Sequence, residues 1–480
     1  TVAAELLASG RARPALTLTE LVRTVAGRSD PRLLGDARAR LGDDAGALAA
    51  YAELKAEDGA RARGGLLVRR GRYREALDVL SGHVGDGDLE ALGWVARAAL
   101  LLGRYDEALV SCDRAASLGH LDPRLLFVRG LVHFYRADYP AALLSFDDAK
   151  RSLEAQGELV ERANVINAIG LVHYRRAELD QAAASFEGAL RLAAESGDAE
   201  RAFLTLMNVA IIEQSRGSYA LAESRYLEAA FKARLGGHRA GVMRIAQNLG
   251  NLYRWLGDTQ EARRQLELSR ALSAAESNAY MTAYNDGLLG EVALLDGDLA
   301  TAEALARSSL AQFLALGNAT EAADARCNLA GVLLSLGRID EAVTEAEAAL
   351  AATVEPAVPI VQAHARLQLA EATRRSVPPA LGAALEHALA AERLLASVES
   401  RPELRWQIPF ALHRVRRDRS EPEALDLGLR ALAALEAIEN TLPESRREAF
   451  LAARPRREAL AELRWLRGLA SSRNAGSANH

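Results

Sequence analysis

Gly257-Asp-Thr-Gln-Glu-Ala262 is followed 40 residues later by Gly297-Asp-Leu-Ala-Thr-Ala302, and after 40 more by Gly337-Arg-Ile-Asp-Glu-Ala342. The phrase is a small residue, in most copies an aromatic or aliphatic residue two places on, and Ala three further. Read backwards along the chain, it recurs at Gly217-Ser-Tyr219 to Ala222, Ala177-Glu-Leu179 to Ala182 and Ala137-Asp-Tyr139 to Ala142. Earlier copies stand at Gly103-Arg-Tyr105 to Ala108 and Gly71-Arg-Tyr73 to Ala76. From Ala142 to Ala342 the alanines are 40 residues apart every time. Self-similarity at a fixed period of this size marks a stacked repeat architecture.

A second ladder runs out of phase with the first: Gly157, Gly197, Gly237 and Gly317, with Ser277 in the slot between. Two such ladders per period predict two helices per period, each closed by a left-handed residue. The first helix carries a small residue (Gly130, Gly170, Ala210, Gly250, Gly290, Ala330) that lets the second helix approach. Four places after the recurring Ala of the second helix comes a larger side chain (Phe146, Phe186, Tyr226, Leu266), and a small one follows (Ala149, Ala189, Ala229, Ser269). Small against large at helical spacing is how a ridge enters a groove.

Composition agrees. Half of the 480 residues are hydrophobic but only 5% aromatic, and no proline occurs between Pro140 and Pro356 to break a helix. A repeat stack grows in one dimension, so this length does not require several domains. The net charge of −5 disfavours a nucleic-acid binder, which carries a basic face. Cys112 and Cys327 are the only cysteines, which fits a reducing cytoplasmic setting without a disulfide framework. No uncharged apolar run is long enough to span a membrane. The stretch Thr1 to Gly10 lacks a signal-peptide pattern, and Thr1 in place of Met fits a processed chain or a piece of a longer one.

The arrangement resembles the tetratricopeptide repeat in its 40-residue form, over roughly residues 28 to 350, with an earlier copy at Gly35, Ala47 and Tyr51. That form is known from kinesin light chains, spindle-orientation adaptors, peptide-sensing bacterial regulators and maltose-regulator-type signalling ATPases. The resemblance implies an all-α fold: a right-handed superhelical solenoid of antiparallel helix pairs, eight to nine repeats with helical caps. The expected organisation is an N-terminal capping helix region over 1–27, with Pro14 to Gly27 as one leading helix, and the solenoid over 28–350. A divergent hairpin over 351–400 follows, built from Pro359 to Arg375 and Ala380 to Val398. A C-terminal helical cap over 401–468, punctuated by Pro402, Pro409, Pro422 and Pro443, and a flexible tail over 469–480 complete it.

No catalytic motif stands out. The three lysines follow no glycine-rich turn, there is no Gly-x-Ser-x-Gly elbow and no His-Glu-x-x-His helix. His133 and His173, one period apart, share the slot of Tyr253 and read as packing residues, not as metal ligands. Cys112 sits in a core slot and reads as an inert thiol. Gly85-Asp-Gly87 reads as an interhelical loop. Arg414, Arg416, Arg417 and Arg419 read as a solvated or partner-contacting face, with nucleic acid the lesser alternative. No cofactor and no metal are expected, and the chain is not expected to be an enzyme.

In the family, the first helix of each hairpin lines a concave groove. The resemblance places Asn208, Asn248 and Asn328 at its sixth position and Asn251 at the ninth. Arg244, Gln247, Arg254 and Trp255 share that face, as do Asn164, Asn167, Tyr174 and Arg175 in an earlier repeat. Carboxamides supply donors and an acceptor to a peptide backbone, Arg a bidentate carboxylate contact, and aromatics flat apolar area. The resemblance implies that groove asparagines clamp peptide backbones. A packing role, with Asn bonding the neighbouring repeat, is the alternative. Before Ala163 the inner face is apolar (Phe127, Leu131, Phe134, Tyr135), suited to an amphipathic helix or to the chain's own terminal segment. The expected function is a protein- or peptide-binding scaffold, or the sensor portion of a bacterial signalling or transcription-regulating system. A fragment of a larger enzyme or signalling ATPase, and more remotely an RNA-binding helical repeat, are the other readings. The partner and the oligomeric state are not written in the sequence.

Overall fold

The computed structural model describes residues 2–8, 11–26, 30–82, 88–118, 122–176, 178–353, 358–396 and 402–477. Thr1, Gly10, Gly27, Gly85 to Gly87, Ala177, Pro356 and Val398, named above, lie outside these. Among the described residues the secondary structure is helical, with no strand. The chain forms two compact units, Thr1–Asp198 and Ala199–His480.

The first unit holds α1 (Val2–Ala8), α2 (Ala12–Ala26), α3 (Pro31–Arg40), α4 (Asp44–Ala52), α5 (Ala56–Arg69) and α6 (Tyr73–Leu80). It continues with α7 (Leu89–Leu101), α8 (Tyr105–Ser117), α9 (Pro123–Tyr135), α10 (Tyr139–Gln156), α11 (Leu159–Arg175) and α12 (Leu179–Glu195). The second unit holds α13 (Ala199–Ser215), α14 (Tyr219–Leu235), α15 (Arg239–Leu256), α16 (Thr259–Ala275), α17 (Ala279–Asp296), α18 (Leu299–Ala315) and α19 (Ala319–Ser335). Then come α20 (Ile339–Ala351), α21 (Pro359–Arg375), α22 (Leu381–Ala396), α23 (Pro402–Asp418), α24 (Ala424–Thr441), α25 (Glu444–Ala452) and α26 (Arg454–Ser477). Within each unit the helices pair into hairpins that stack on their neighbours. This is the tetratricopeptide-type helical repeat.

The turns follow from the two ladders. Gly157, Gly197, Gly237 and Gly317, and out of phase Gly217, Gly257, Gly297 and Gly337, all have positive φ; Ala137 (φ 58) and Ser277 (φ 52) take the same left-handed conformation in their slots. At Gly257 the helix end is closed by the Asp258 amide donating to the Tyr253 carbonyl at 2.9 Å. Asp258 then opens the next helix, its carboxylate accepting from the Glu261 amide at 3.1 Å. One residue stops a helix and the next starts another, so the turn is short enough to force antiparallel packing.

The small-and-large slots lock the hairpins. Ala142, Ala182, Ala222, Ala262, Ala302 and Ala342 are all fully buried. A methyl group at Gly170 would lie 2.6 Å from the Phe186 ring, and one at Gly250 2.5 Å from Leu266. Gly35 faces Tyr51 in the same way, so the early copy obeys the rule too. Between hairpins, Phe146 and Leu153 of α10 share a core with Val165, Ile169 and Val172 of α11.

Three readings change. The amino-terminal region has two helices, α1 and α2, and α2 begins ahead of Pro14 because proline is tolerated in a first turn. Pro409 does not punctuate but lies inside α23. Trp406 and Phe410, on either side of it, are buried against α24 and α26, so packing holds the helix through the lost hydrogen bond. The terminal segment, considered for the apolar face near Phe127, instead packs on α15 and α17.

Candidate functional site

On α15, Arg244, Gln247, Asn248, Asn251 and Arg254 recur every three or four residues and therefore share one face. Arg254 donates Nε and Nη2 to Asn251 Oδ1 at 3.2 and 2.8 Å, and Nη1 to Glu291 Oε2 of α17 at 2.6 Å. The other oxygen of Glu291 accepts from Asn328 Nδ2 of α19 at 3.1 Å. Asn251, Arg254, Glu291 and Asn328 thus form one chain of hydrogen bonds across three successive first helices. Arg254 and Glu291 are only 18% and 26% exposed, which strengthens the charge-assisted links.

The amino-terminal half of the same face is different. Arg244 is exposed and Gln247 and Asn248 are half-buried; among the described residues none of the three makes a side-chain hydrogen bond. Asn208 of α13 is half-buried. In the first unit, Asn164, Asn167 and Tyr174 of α11 are half-buried and Arg175 is exposed. The structure links Arg254, Asn251 and Asn328 through Glu291, which the sequence reading did not name, and Asn328 bonding the neighbouring repeat is the packing role given above as the alternative. Glu291 lies one period after Asn251, so the repeat frame alone would have found it.

Trp255 is not offered to the open face. It is 4% exposed, packed at 4.1 Å between ring centroids on Tyr219 and at 5.7 Å on Phe450 of α25. Its carbonyl accepts from Arg456 at 2.5 Å.

The remaining polar groups are accounted for locally. His133 lies 3.6 Å from Asp138, and His173 2.6 Å from Glu178, each pairing with the acid of its own turn. Arg414 pairs with Glu371 and Glu462, Arg416 with Glu421, Arg417 with Asp418 and Glu462, and Arg419 with Glu421. Each of these four arginines therefore has a carboxylate partner within the fold. Burial pushes the Cys112 thiol up to about 12. Among the described residues no three His, Cys, Asp or Glu side chains converge as metal ligands, and no helix is long and apolar enough to cross a membrane.

Fold and face together define a tetratricopeptide-type repeat protein with a polar first-helix surface. No family model matches the chain and no curated protein does. Among solved structures, the apo form of RapI aligns with 55% of this chain and 97% of its own at 13% identity, with a TM-score of 0.47. Yeast Tom70 aligns over 96% and 95% at 14% identity, TM-score 0.44. A Rap protein complexed with competence and sporulation factor aligns over 80% and 98% at 15% identity, TM-score 0.46. At such identities nothing about this chain's ligand follows from them.

Proposed function

We propose that this chain is a recognition scaffold, serving as the sensor portion of a signalling or transcription-regulating system, that holds an extended peptide or protein segment on its first-helix face. The observation that carries the reading is the division of that face on α15. Its carboxyl-terminal half is tied into the Asn251–Arg254–Glu291–Asn328 chain and is therefore rigid. Its amino-terminal half presents Arg244, Gln247 and Asn248 with their donors and acceptors uncommitted. Half-buried carboxamides gain most from a partner that supplies both a carbonyl and an N–H, which any peptide backbone does. The Arg244 guanidinium beside them suits a carboxylate side chain or chain end.

The test is capture of short random peptides on an array by the full-length chain, compared with the Gln247→Ala/Asn248→Ala variant. The reading expects peptide capture to weaken about tenfold or more while circular dichroism and melting stay unchanged. Undiminished capture by the variant overturns it.

A further inference from the structure

Helix α25 is nine residues long and buries a single side chain, Phe450. It is entered through Pro443 (ψ 145) and left through Ala453 (ψ 130), both extended. A helix this short does not hold its shape alone in water, so the surface it rests on maintains it. That surface is the turn at Gly257, between α15 and α16, with Glu223 of α14 and the rings of Tyr219, Tyr253 and Trp255 beside it.

The contacts have a definite chemistry. Arg446 Nη2 lies 2.7 Å from Glu223 Oε1, Nη1 bonds Asp258, and the guanidinium stands 5.3 Å from the Tyr253 ring centroid. Glu223 also accepts the Tyr253 hydroxyl at 2.8 Å. Two carboxylates and an aromatic face make a cation slot. One helical turn further along α25, Phe450 fills a second slot against Trp255, which is itself stacked on Tyr219. Arg456 closes over Phe450 at 3.9 Å and donates to the Phe450 carbonyl at 3.1 Å. The turn is shaped for the visitor: Gly257 has φ +82, and a methyl group there would run into the Ala449 carbonyl.

We infer that this acidic–aromatic surface is a docking site for helical segments carrying arginine four residues ahead of an aromatic, and that α25 is its tethered occupant, displaced by a partner segment of the same chemistry. Residues four apart lie on one helix face, so the two slots read a spacing as well as two side-chain types. The site stands at the carboxyl end of α15, apart from Arg244, Gln247 and Asn248, and does not depend on the peptide-binding reading above.

The experiment uses the full-length chain and a fluorescent synthetic peptide of residues 441–457. Arg446→Glu places a like charge between Glu223 and Asp258 and dislodges α25. Anisotropy should show the peptide binding the Arg446→Glu chain at least about tenfold more tightly than wild type. A peptide that itself carries Arg446→Glu should not bind either chain. Equal binding to wild type and variant, or no binding to a variant of full helical content, overturns the inference. Should the variant not fold, hydrogen exchange of the wild-type chain decides. Excess peptide should speed exchange in 444–452 about tenfold and leave α13 to α16 unchanged; unaltered exchange in 444–452 overturns it equally.

Discussion

Helices α9 and α15 hold the same place in the repeat, three periods apart, and carry opposite chemistry. Gly130 faces Phe146 as Gly250 faces Leu266, so the packing slots match. The inner positions do not. Phe127, Leu131, Phe134 and Tyr135 on α9 correspond to Gln247, Asn251, Arg254 and Trp255 on α15. On α9 the aromatics make apolar ring contacts, within the hairpin and back to the one before it: Phe127 on Phe146 at 5.7 Å, Phe134 on Tyr135 at 5.4 Å, and Tyr135 on Tyr105 of α8 at 6.2 Å. On α15 the polar groups reach to α17 and α19. Stacking is specified by a few small and large residues per period, and every other first-helix position is free to vary.

The largest test of this contrast acts on the shared slots. Gly130→Leu and Gly250→Leu should each cost about 1–3 kcal/mol or more, because the added side chain overlaps a ring or a leucine, and both should lower the melting temperature. Gly290→Ala should cost far less, since its methyl group would meet nothing nearer than about 3.4 Å, and alanine favours the helix. Equal losses at all three positions would show that the slots do not set the stacking.

A smaller effect is expected from Glu291→Gln, which has no counterpart on α9. Denaturant melts should show a loss of about 1–2 kcal/mol, as Arg254 exchanges a charged acceptor for a neutral one. Peptides with acidic side chains should be captured more tightly by this variant than by wild type, because the Arg254 charge is no longer offset. Unchanged preference for acidic peptides would separate Arg254 from recognition.

The smallest effect concerns Cys112, on the second helix of the hairpin preceding α9. Its folded-state thiol is raised to about 12 by burial, against an unfolded value near 8.5. The unfolded chain therefore releases this proton first. The contribution to stability is complete below about pH 8.5 and is lost as pH rises towards the folded value. Alkylation at pH 8 should leave Cys112 unmodified in the folded chain and label it on unfolding; rapid labelling of the native protein would contradict the burial.

Much of the fold was legible because the repeat states it several times over. The positive φ of Ser277 could be placed from its ladder slot alone, although serine rarely adopts it. Where one copy stands alone, local rules failed. Pro409 reads as a helix breaker, yet the burial of Trp406 and Phe410 carries the helix through it. The face of α15 was half legible: residue type singled out the amides, but a glutamate in a first helix carries no such signal and Glu291 went unnamed. Trp255 was expected on the open face, and nothing near it in sequence announces that Tyr219 and Phe450 cover it. The partners of Arg446 are 188 and 223 residues away. No local pattern encodes such a contact, since it depends on the completed stack.

The uniform period has a consequence for how such a chain can change in length. Between Gly257 and Gly297 the chain completes one period, the second helix of one hairpin and the first of the next, beginning and ending on the same left-handed turn. Duplicating those 40 residues would keep the register of the repeat, so each following hairpin would still meet its neighbour through the same small and large slots. Duplicating one residue fewer would swivel whatever follows by about 100° at the first helix it enters, turning buried alanines outward. Growth by whole modules therefore preserves the hairpin-on-hairpin packing and would break only the long-range contacts of α25 and Arg456 with Glu223 and Trp255, whereas growth by any other increment breaks the stack itself.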